Sequence, residues 1–233
     1  MHYFYSQLID DSTITLSKEE AHHASRVLRL QINDKVGVFD GEGKIYNCSI
    51  SEISKNDCEL FIESIVTNDD ARSKLSIIIA PTKSNDRFEW FLEKATEIGV
   101  GEIIPIITEH SERKKIRFDR YEKILVSGMK QSMNPYLPIL RPLSKFEKVI
   151  DKFSGFDRFI SHCMDDDKKE FFSEINPENN TVILIGPEGD FSIKELQLAI
   201  KNKWEGVSLG KQRFRTETAG IIAIHMHSLK ANT

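Results

Sequence analysis

The chain has 233 residues, of which 39% are hydrophobic, 9% aromatic and 29% charged, enough apolar material for real cores and too much for a predominantly disordered state. That length suits one large domain or two small ones, with two favoured. The formal net charge of −4, taken alone, argues against a nucleic-acid binder; no apolar run approaches the roughly 20 residues of a membrane span, and Met1-His2-Tyr3-Phe4-Tyr5 lacks the basic-then-apolar order of a secretory signal.

The first 70 residues read as mostly β. Tyr3–Leu8, Thr13–Leu16, Lys35–Asp40, Lys44–Ile53 and Cys58–Val66 are strand-like runs, and Gly41 and Gly43 mark a tight hairpin between two of them. One helix interrupts them: Ser17 and Glu20 form a capping-box signature, after which Ala21, Ala24, Val27 and Leu28 recur at helical spacing. Several short strands with one helix imply a small barrel. The polar stretch 68–73 is the natural boundary, and charge changes across it: residues 1–70 carry a net −7, the rest a net +3.

Beyond the boundary the period changes. Leu75–Ala80 is a buried-type strand. Asn85–Ile98 is a helix with Phe88, Phe91, Leu92, Ala95 and Ile98 on one face and Gly99 as its stop. Ile103–Ile107 is a strand, Asp119–Met133 a helix, and Pro135, Pro138 and Pro142 then impose an extended segment. Arg158–Cys163, Thr181–Ile185 and Gly206–Leu209 are further strands. Ser192 with Glu195 opens a helix that turns Ile193, Leu196, Ala199 and Ile200 inward, and Thr216–Lys230 is the last helix. Strands alternating with helices imply a mostly parallel sheet covered on both faces. Three scattered cysteines, Cys48, Cys58 and Cys163, suit a reducing, cytoplasmic compartment rather than a disulfide framework.

Two segments stand out chemically. Leu184-Ile185-Gly186-Pro187-Glu188-Gly189-Asp190-Phe191-Ser192 runs from a buried strand through a Gly-rich turn into a capped helix, the place where open α/β sheets bind ligands. An ordinary strand-to-helix turn is the competing reading; neither a Gly-Lys-Ser/Thr nor a G-x-G-x-x-G phosphate loop is present. Ser208-Leu209-Gly210-Lys211-Gln212-Arg213-Phe214-Arg215-Thr216-Glu217-Thr218-Ala219 also leaves a strand and enters a helix, with Arg213 and Arg215 before a helix N-terminus, where anions are favoured. Solvated arginines with Thr216 or Thr218 as a plain N-cap are the competing reading. Together the two loops could line one crevice, with His162 ending a strand close by.

The last helix, apolar nearly all round near its start, suits a buried core or a partner chain, and a dimer is favoured. His22 and His23 lack the spaced carboxylate or Cys of a metal site; with Arg26 and Arg29 they form a candidate phosphate-contacting face, His22, Arg26 and Arg29 falling at i, i+4 and i+7. Arg113-Lys114-Lys115-Ile116-Arg117, with Arg120 and Lys123, is the most basic run, for which a solvated face and RNA contact are equal readings.

The residues now on the page resemble the bacterial family that methylates N3 of a uridine in 16S ribosomal RNA, a member of the SPOUT superfamily of knotted methyltransferases. Leu184–Ser192 and Ser208–Ala219 carry the resemblance most specifically; Lys94–Val100, His22-His23 with Val27-Leu28-Arg29, and Phe39-Asp40-Gly41-Glu42-Gly43 also match. It implies a PUA-like β-barrel that binds RNA, over residues 1–70, then a trefoil-knotted SPOUT α/β methyltransferase domain over 71–233. It further implies S-adenosylmethionine as cofactor, no metal, 16S rRNA of the small ribosomal subunit as substrate, and a homodimer completing each site. Carried over, Leu184, Gly186, Gly189, Leu209 and Gly210 contact the cofactor through their backbones, Phe214 walls the pocket, and His162 and Thr216 line it. His22, His23, Arg26, Arg29 and Arg113 contact RNA. Arg215 would offset the charge that develops on the uracil carbonyl oxygens as N3 loses its proton, and Glu217 would orient Arg215 or take the proton, the orienting role being favoured. The chain departs from the family at Asp190, where Gly is usual, at Lys211-Gln212-Arg213, at Lys130-Gln131-Ser132 and at Asn134. A non-catalytic dimeric RNA-binding protein and a SPOUT methyltransferase for another nucleotide are the alternatives.

Overall fold

In the computed structural model, which describes residues 1–68, 72–164 and 167–232, the chain forms two units, Met1–Arg72 with Met129–Leu137, and Ser73–Gly128 with Pro138–Thr233. The boundary expected in 68–73 falls partly on residues 69–71, outside the described residues.

The first unit contains β1 (His2–Tyr5), β2 (Thr13–Thr15), α1 (Lys18–His22), β3 (Lys35–Phe39), β4 (Lys44–Ile53) and β5 (Cys58–Thr67). They form one five-stranded sheet in the order β1-β3-β4-β5-β2, antiparallel except for β1 beside β3. Alternation aims Tyr46, Cys48 and Ile50 of β4 inward to join Phe4, Ile14, Val36, Val38 and Leu60 in a closed core. Register shifts at Asn47/Cys48 and Ile50/Glu52 bend the long β4–β5 ribbon. Burial pushes the Cys48 and Cys58 thiols up to about 11.

Ser17 caps α1 as its spacing predicts, its Oγ accepting from Glu20 N at 3.3 Å. The helix does not continue as expected. After His22 it widens to a π-helical turn over His23–Val27, with Leu28 N donating to His23 O. Leu30 N then reaches Ala24 O, and Arg29 takes a left-handed φ of 55°. Widening rotates every later side chain, so His22, Arg26 and Arg29 do not share an α-helical face, and Val27 is 61% exposed.

The 39–43 hairpin holds the Met129–Leu137 segment. Gly43 N donates to Pro135 O at 3.1 Å and Leu137 N to Gly41 O at 3.0 Å. Arg72 donates to the carbonyls of Gly41 and Leu137 and to Glu42, with its guanidinium carbon 5.7 Å from the Tyr136 ring centroid. Gly43 has φ +104°, and a Cβ there would lie 2.5 Å from Tyr136 Oη.

The second unit contains β6 (Leu75–Ile79), α2 (Asn85–Ile98), β7 (Glu102–Ile107), α3 (Phe118–Ser132, whose last turn belongs to the first unit), β8 (Ile139–Leu140), β9 (Ser144–Lys145), β10 (Asp157–Ser161), β11 (Lys169–Glu170), α4 (Phe171–Glu174), β12 (Thr181–Ile185), α5 (Ile193–Lys201), β13 (Glu205–Ser208) and α6 (Thr216–Ala231). The sheet is parallel, in the order β11-β13-β10-β12-β6-β7-β8, with β9 also on β7. The central strands β6 and β12 are buried along their whole length, which is why they read as unbroken apolar runs. Ile78, Ile160, Val182 and Leu184 pack with Leu196 and Ala199 of α5 and with Trp204. Ile79 lies on the alternate face, near Gly220 of α6 and Phe91 of α2. Gly99 ends α2 in the left-handed conformation, and Ser192 and Glu195 form both bonds of the capping box on α5.

Two apolar assignments change. On α5, Ile193 and Ile200 are 63% and 66% exposed; only Leu196 and Ala199 of the expected stripe reach the sheet. On α6, Gly220, Ala223, Ile224 and His227 face inward, leaving Ile221, Ile222 and Met226 half-buried and Leu229 46% exposed. Burial alone pushes the His227 imidazole down to about 4 from the ordinary 6.5.

Gly43→Ala should cost about 1–3 kcal/mol through the left-handed backbone and the Tyr136 clash, read as a lowered urea midpoint at unchanged m-value. The pH prediction concerns His227. Its native form is neutral while its unfolded form takes up a proton near 6.5, so its contribution is complete above pH 6.5 and is lost as pH falls toward 4. Urea melts between pH 7 and 4.5 should show wild type losing up to about 3 kcal/mol more than His227→Gln across that window; parallel curves would exclude it.

Candidate cofactor and RNA site

β13, β10 and β12 are adjacent and parallel, so the loops leaving their carboxyl ends emerge side by side. These loops are the two Gly-containing segments and the Ser161-His162-Cys163 stretch, and they enclose a cavity of about 640 Å³, within the range of small-molecule sites. The crevice expected from the sequence is therefore present.

A buried hydrogen bond joins its two main walls: Thr216 Oγ1 donates to Gly186 O at 3.0 Å. On the 208–216 side, Ser208 Oγ donates to Gly210 O at 3.1 Å, and Gly210 has φ +137° with the Phe214 ring beside it. On the 186–190 side, Asp190 N bonds back to Pro187 O at 2.9 Å, closing a tight turn. His110 Nδ1 lies 3.0 Å from the carbonyls of both Gly189 and Asp190; carbonyls only accept, so this nitrogen carries the proton. Glu188 accepts from Lys83 N at 3.0 Å, and Lys168 Nζ donates to His162 O at 3.0 Å. Apolar Ile185, Val207, Leu209 and Phe214 share the wall with Glu188 and Asp190, while Lys211, Arg213 and Arg215 supply exposed positive charge. Such a site can seat a flat, partly apolar molecule with charged ends and meet an anionic partner at its rim.

Of the residues expected at the cofactor, His162, Gly186, Leu209, Gly210, Phe214 and Thr216 line the cavity. Leu184, expected to contact the cofactor through its backbone, has its side chain buried in the core under α5 and does not line the cavity with it. Gly189, also expected to contact the cofactor through its backbone, is not among the residues lining the cavity, and a Cβ there would lie 3.0 Å from His110. The Thr216 hydroxyl is occupied by Gly186. Arg215 lines the cavity as the N-cap residue of α6, with no side-chain cap bond. Glu217 is separated from it. The residue is buried, with Oε1 3.8 Å from Arg87 Nε of α2 and Oε2 without a hydrogen-bond partner among the described residues. The second residue of a helix projects about 100° from the first, which takes Glu217 away from the cavity.

His22, His23, Arg26 and Arg29 are all exposed in the first unit. Arg113, in the second unit, is half-buried and donates from Nε to Thr82 O at 2.9 Å and from Nη2 to Lys83 O at 2.6 Å, so it shapes the loop after β6. Lys114, Lys115 and Arg117 beside it are exposed, whereas Arg120 forks onto Glu89. Sequence reasoning missed His110 and Arg87, which lie far along the chain from the residues they touch, and Lys168, which bonds the carbonyls of His162 and Met164 just before it; none carries a local signature. Among the described residues, no group of three His, Cys, Asp or Glu could hold a metal ion, and no helix is long and apolar enough to cross a membrane.

Comparison with known proteins gives the same class. Residues 69–228 match the RNA methyltransferase domain family and residues 16–63 the RNA methyltransferase PUA domain. The chain belongs to the RNA methyltransferase family. It is 36% identical to a probable rRNA-methyltransferase from Porphyromonas gingivalis, with a TM-score of 0.91 over 100% of this chain and 99% of that one. It is 29% identical to a ribosomal RNA small subunit methyltransferase E from Neisseria gonorrhoeae solved bound to S-adenosyl methionine, with a TM-score of 0.86 and coverage of 96% and 95%. The protein of the same name from Buchnera aphidicola subsp. Acyrthosiphon pisum is 30% identical, covering 90% of this chain and 85% of that protein.

Proposed function

We propose that this chain transfers a methyl group from S-adenosylmethionine to N3 of a uridine in 16S ribosomal RNA of the small subunit. The observation that carries the reading is the cavity at the ends of β10, β12 and β13, with Arg215 on its rim. The cavity fits the cofactor's chemistry: Leu209 and Phe214 offer an apolar wall for the base, Gly186 and Gly210 let the backbone come close, and Asp190 and Glu188 offer acceptors to positively charged or hydroxyl groups. When bound, the cofactor supplies an activated methyl on a sulfonium.

The protein's part is to make N3 nucleophilic. As the imide proton leaves, negative charge spreads over the flanking carbonyl oxygens. The planar guanidinium of Arg215 can donate to them, at a place fixed by the start of α6. Glu217, buried against Arg87, anchors that start from behind rather than orienting Arg215. Lys211 and Arg213 at the rim, Lys114 and Lys115 nearby in sequence to Arg113, and His22, His23, Arg26 and Arg29 in the first unit are suited to phosphates, which position an RNA without reading it.

The half-buried Ile221, Ile222 and Met226 on α6 support a homodimer in which a second copy covers that face. The knotted path of the SPOUT superfamily and a cytoplasmic location complete the reading.

Arg215→Lys should fold and bind S-adenosylmethionine with near wild-type affinity, yet lose at least about tenfold in methyl transfer to small-subunit particles. Unchanged turnover would remove Arg215 from the chemistry. Mass mapping of 16S rRNA from a strain lacking the protein tests the target: one uridine should lose an N3 methyl. Ile222→Glu should convert a dimer to monomers in light scattering, because it places an unpaired charge in an apolar interface; a monomeric, fully active wild type would refute the dimer.

A further inference from the structure

We propose that Asp190 tilts the cavity toward the positively charged methyl donor and against the neutral product left after transfer. The inference rests on the methyltransferase reading above. Asp190 stands in the cavity wall, half-buried, with φ +61°, a left-handed backbone conformation that Asp and Asn adopt more readily than other side chains. Its carboxylate is fixed rather than swinging in solvent. Oδ2 accepts from Cys163 N at 2.8 Å, across from the β12 loop to the β10 loop, and Oδ1 accepts from Phe191 N at 2.8 Å. His110 holds the same backbone from the outer side. A carboxylate oxygen has two lone pairs, so two N–H bonds leave acceptor capacity and a full negative charge beside the cavity.

A sulfonium methyl donor and the thioether that remains after transfer share every other group and differ by one methyl and one positive charge. A fixed charge in the wall therefore acts almost entirely on their difference. Across a cavity of this size, in partly desolvated surroundings, one unit charge changes the affinity of a charged ligand by on the order of tenfold. Lys168, Lys211, Arg213 and Arg215 act in the opposite sense. Glu188 and Asp190 are the carboxylates that counter them in the cavity wall, and of the two Asp190 is held by two backbone N–H groups.

Calorimetric titration of the full-length protein with S-adenosylmethionine and with S-adenosylhomocysteine tests this without any turnover. Asp190→Asn removes the charge, keeps an acceptor oxygen and suits a left-handed backbone. It should weaken the donor by on the order of tenfold and the product by less than about threefold. Should that variant fail to fold, Asp190→Gly carries the same comparison, since it removes the charge and relieves the backbone. If the ratio of the two dissociation constants stays within about threefold of wild type, whether both ligands weaken together or neither does, Asp190 is only a clasp between loops and the proposal is overturned. A wild type that binds neither ligand overturns the methyltransferase reading itself, and this inference with it.

Discussion

The buried bond from Thr216 Oγ1 to Gly186 O joins two loops thirty residues apart and sets the width of the cavity between them. Its net worth is on the order of 1 kcal/mol, but removing the hydroxyl would leave a buried carbonyl unsatisfied at about 1–3 kcal/mol. What makes it possible is strand order. Because β10 lies between β12 and β13 and all three run parallel, their carboxyl ends open on the same side. The apolar cores on both faces of the sheet thus act on function indirectly, by fixing the register from which the loops depart.

Charge is distributed on the same logic. The anionic side chains at the cavity are short or bonded to backbone N–H groups, as Glu188 is to Lys83 and Asp190 to Cys163 and Phe191. The cations Lys211, Arg213 and Arg215 are long and exposed. Fixed anions suit a ligand held in the cavity; exposed cations at the rim suit a polyanion that arrives from solvent. A chain with net charge −4 can then engage RNA through local groups rather than through a broad field.

Features with a local cause were legible in the sequence. The caps at Ser17 and Ser192, the αL stop at Gly99 and the apolar runs of β6 and β12 each follow from residues within a few positions, and each is present. Features set by distant partners were not. Periodicity assigns Ile193 and Ile200 to a core, but α5 turns only a narrow stripe, Leu196 and Ala199, to the sheet. The π-helical turn after His22 defeats any count at 3.6 residues per turn. At the site, Gly186, Gly210 and Arg215 stood out because a strand running through a Gly-containing turn into a helix carries its own signature, whereas Phe214 came only with the family resemblance; all four line the cavity. The facing of Glu217 toward Arg87, and the donation of Arg113 to Thr82 and Lys83, depend on α2 and the loop after β6.

Left-handed backbone positions differ in what surrounds them. Among the described residues, five other than Gly have positive φ: Arg29, Asn33, Met133, Asp190 and Lys203. Arg29, Met133 and Lys203 each follow a helical end, where a left-handed residue lets the chain satisfy the last carbonyls; the bonds from Leu30 N to Ala24 O and from Trp204 N to Ala199 O show this. Asn33 and Asp190 both belong to residue types that adopt this conformation more readily than most. Asp190 ends no helix. Its conformation is held by the Pro187 turn, by His110 and by the carboxylate's own bonds to Cys163 and Phe191, so several contacts converge to keep one acid in a cavity wall. The left-handed backbone itself is ordinary for an Asp; what sets this position apart is that the turn, His110 and both carboxylate oxygens fix the side chain in the wall of the cavity, the arrangement on which its proposed role rests.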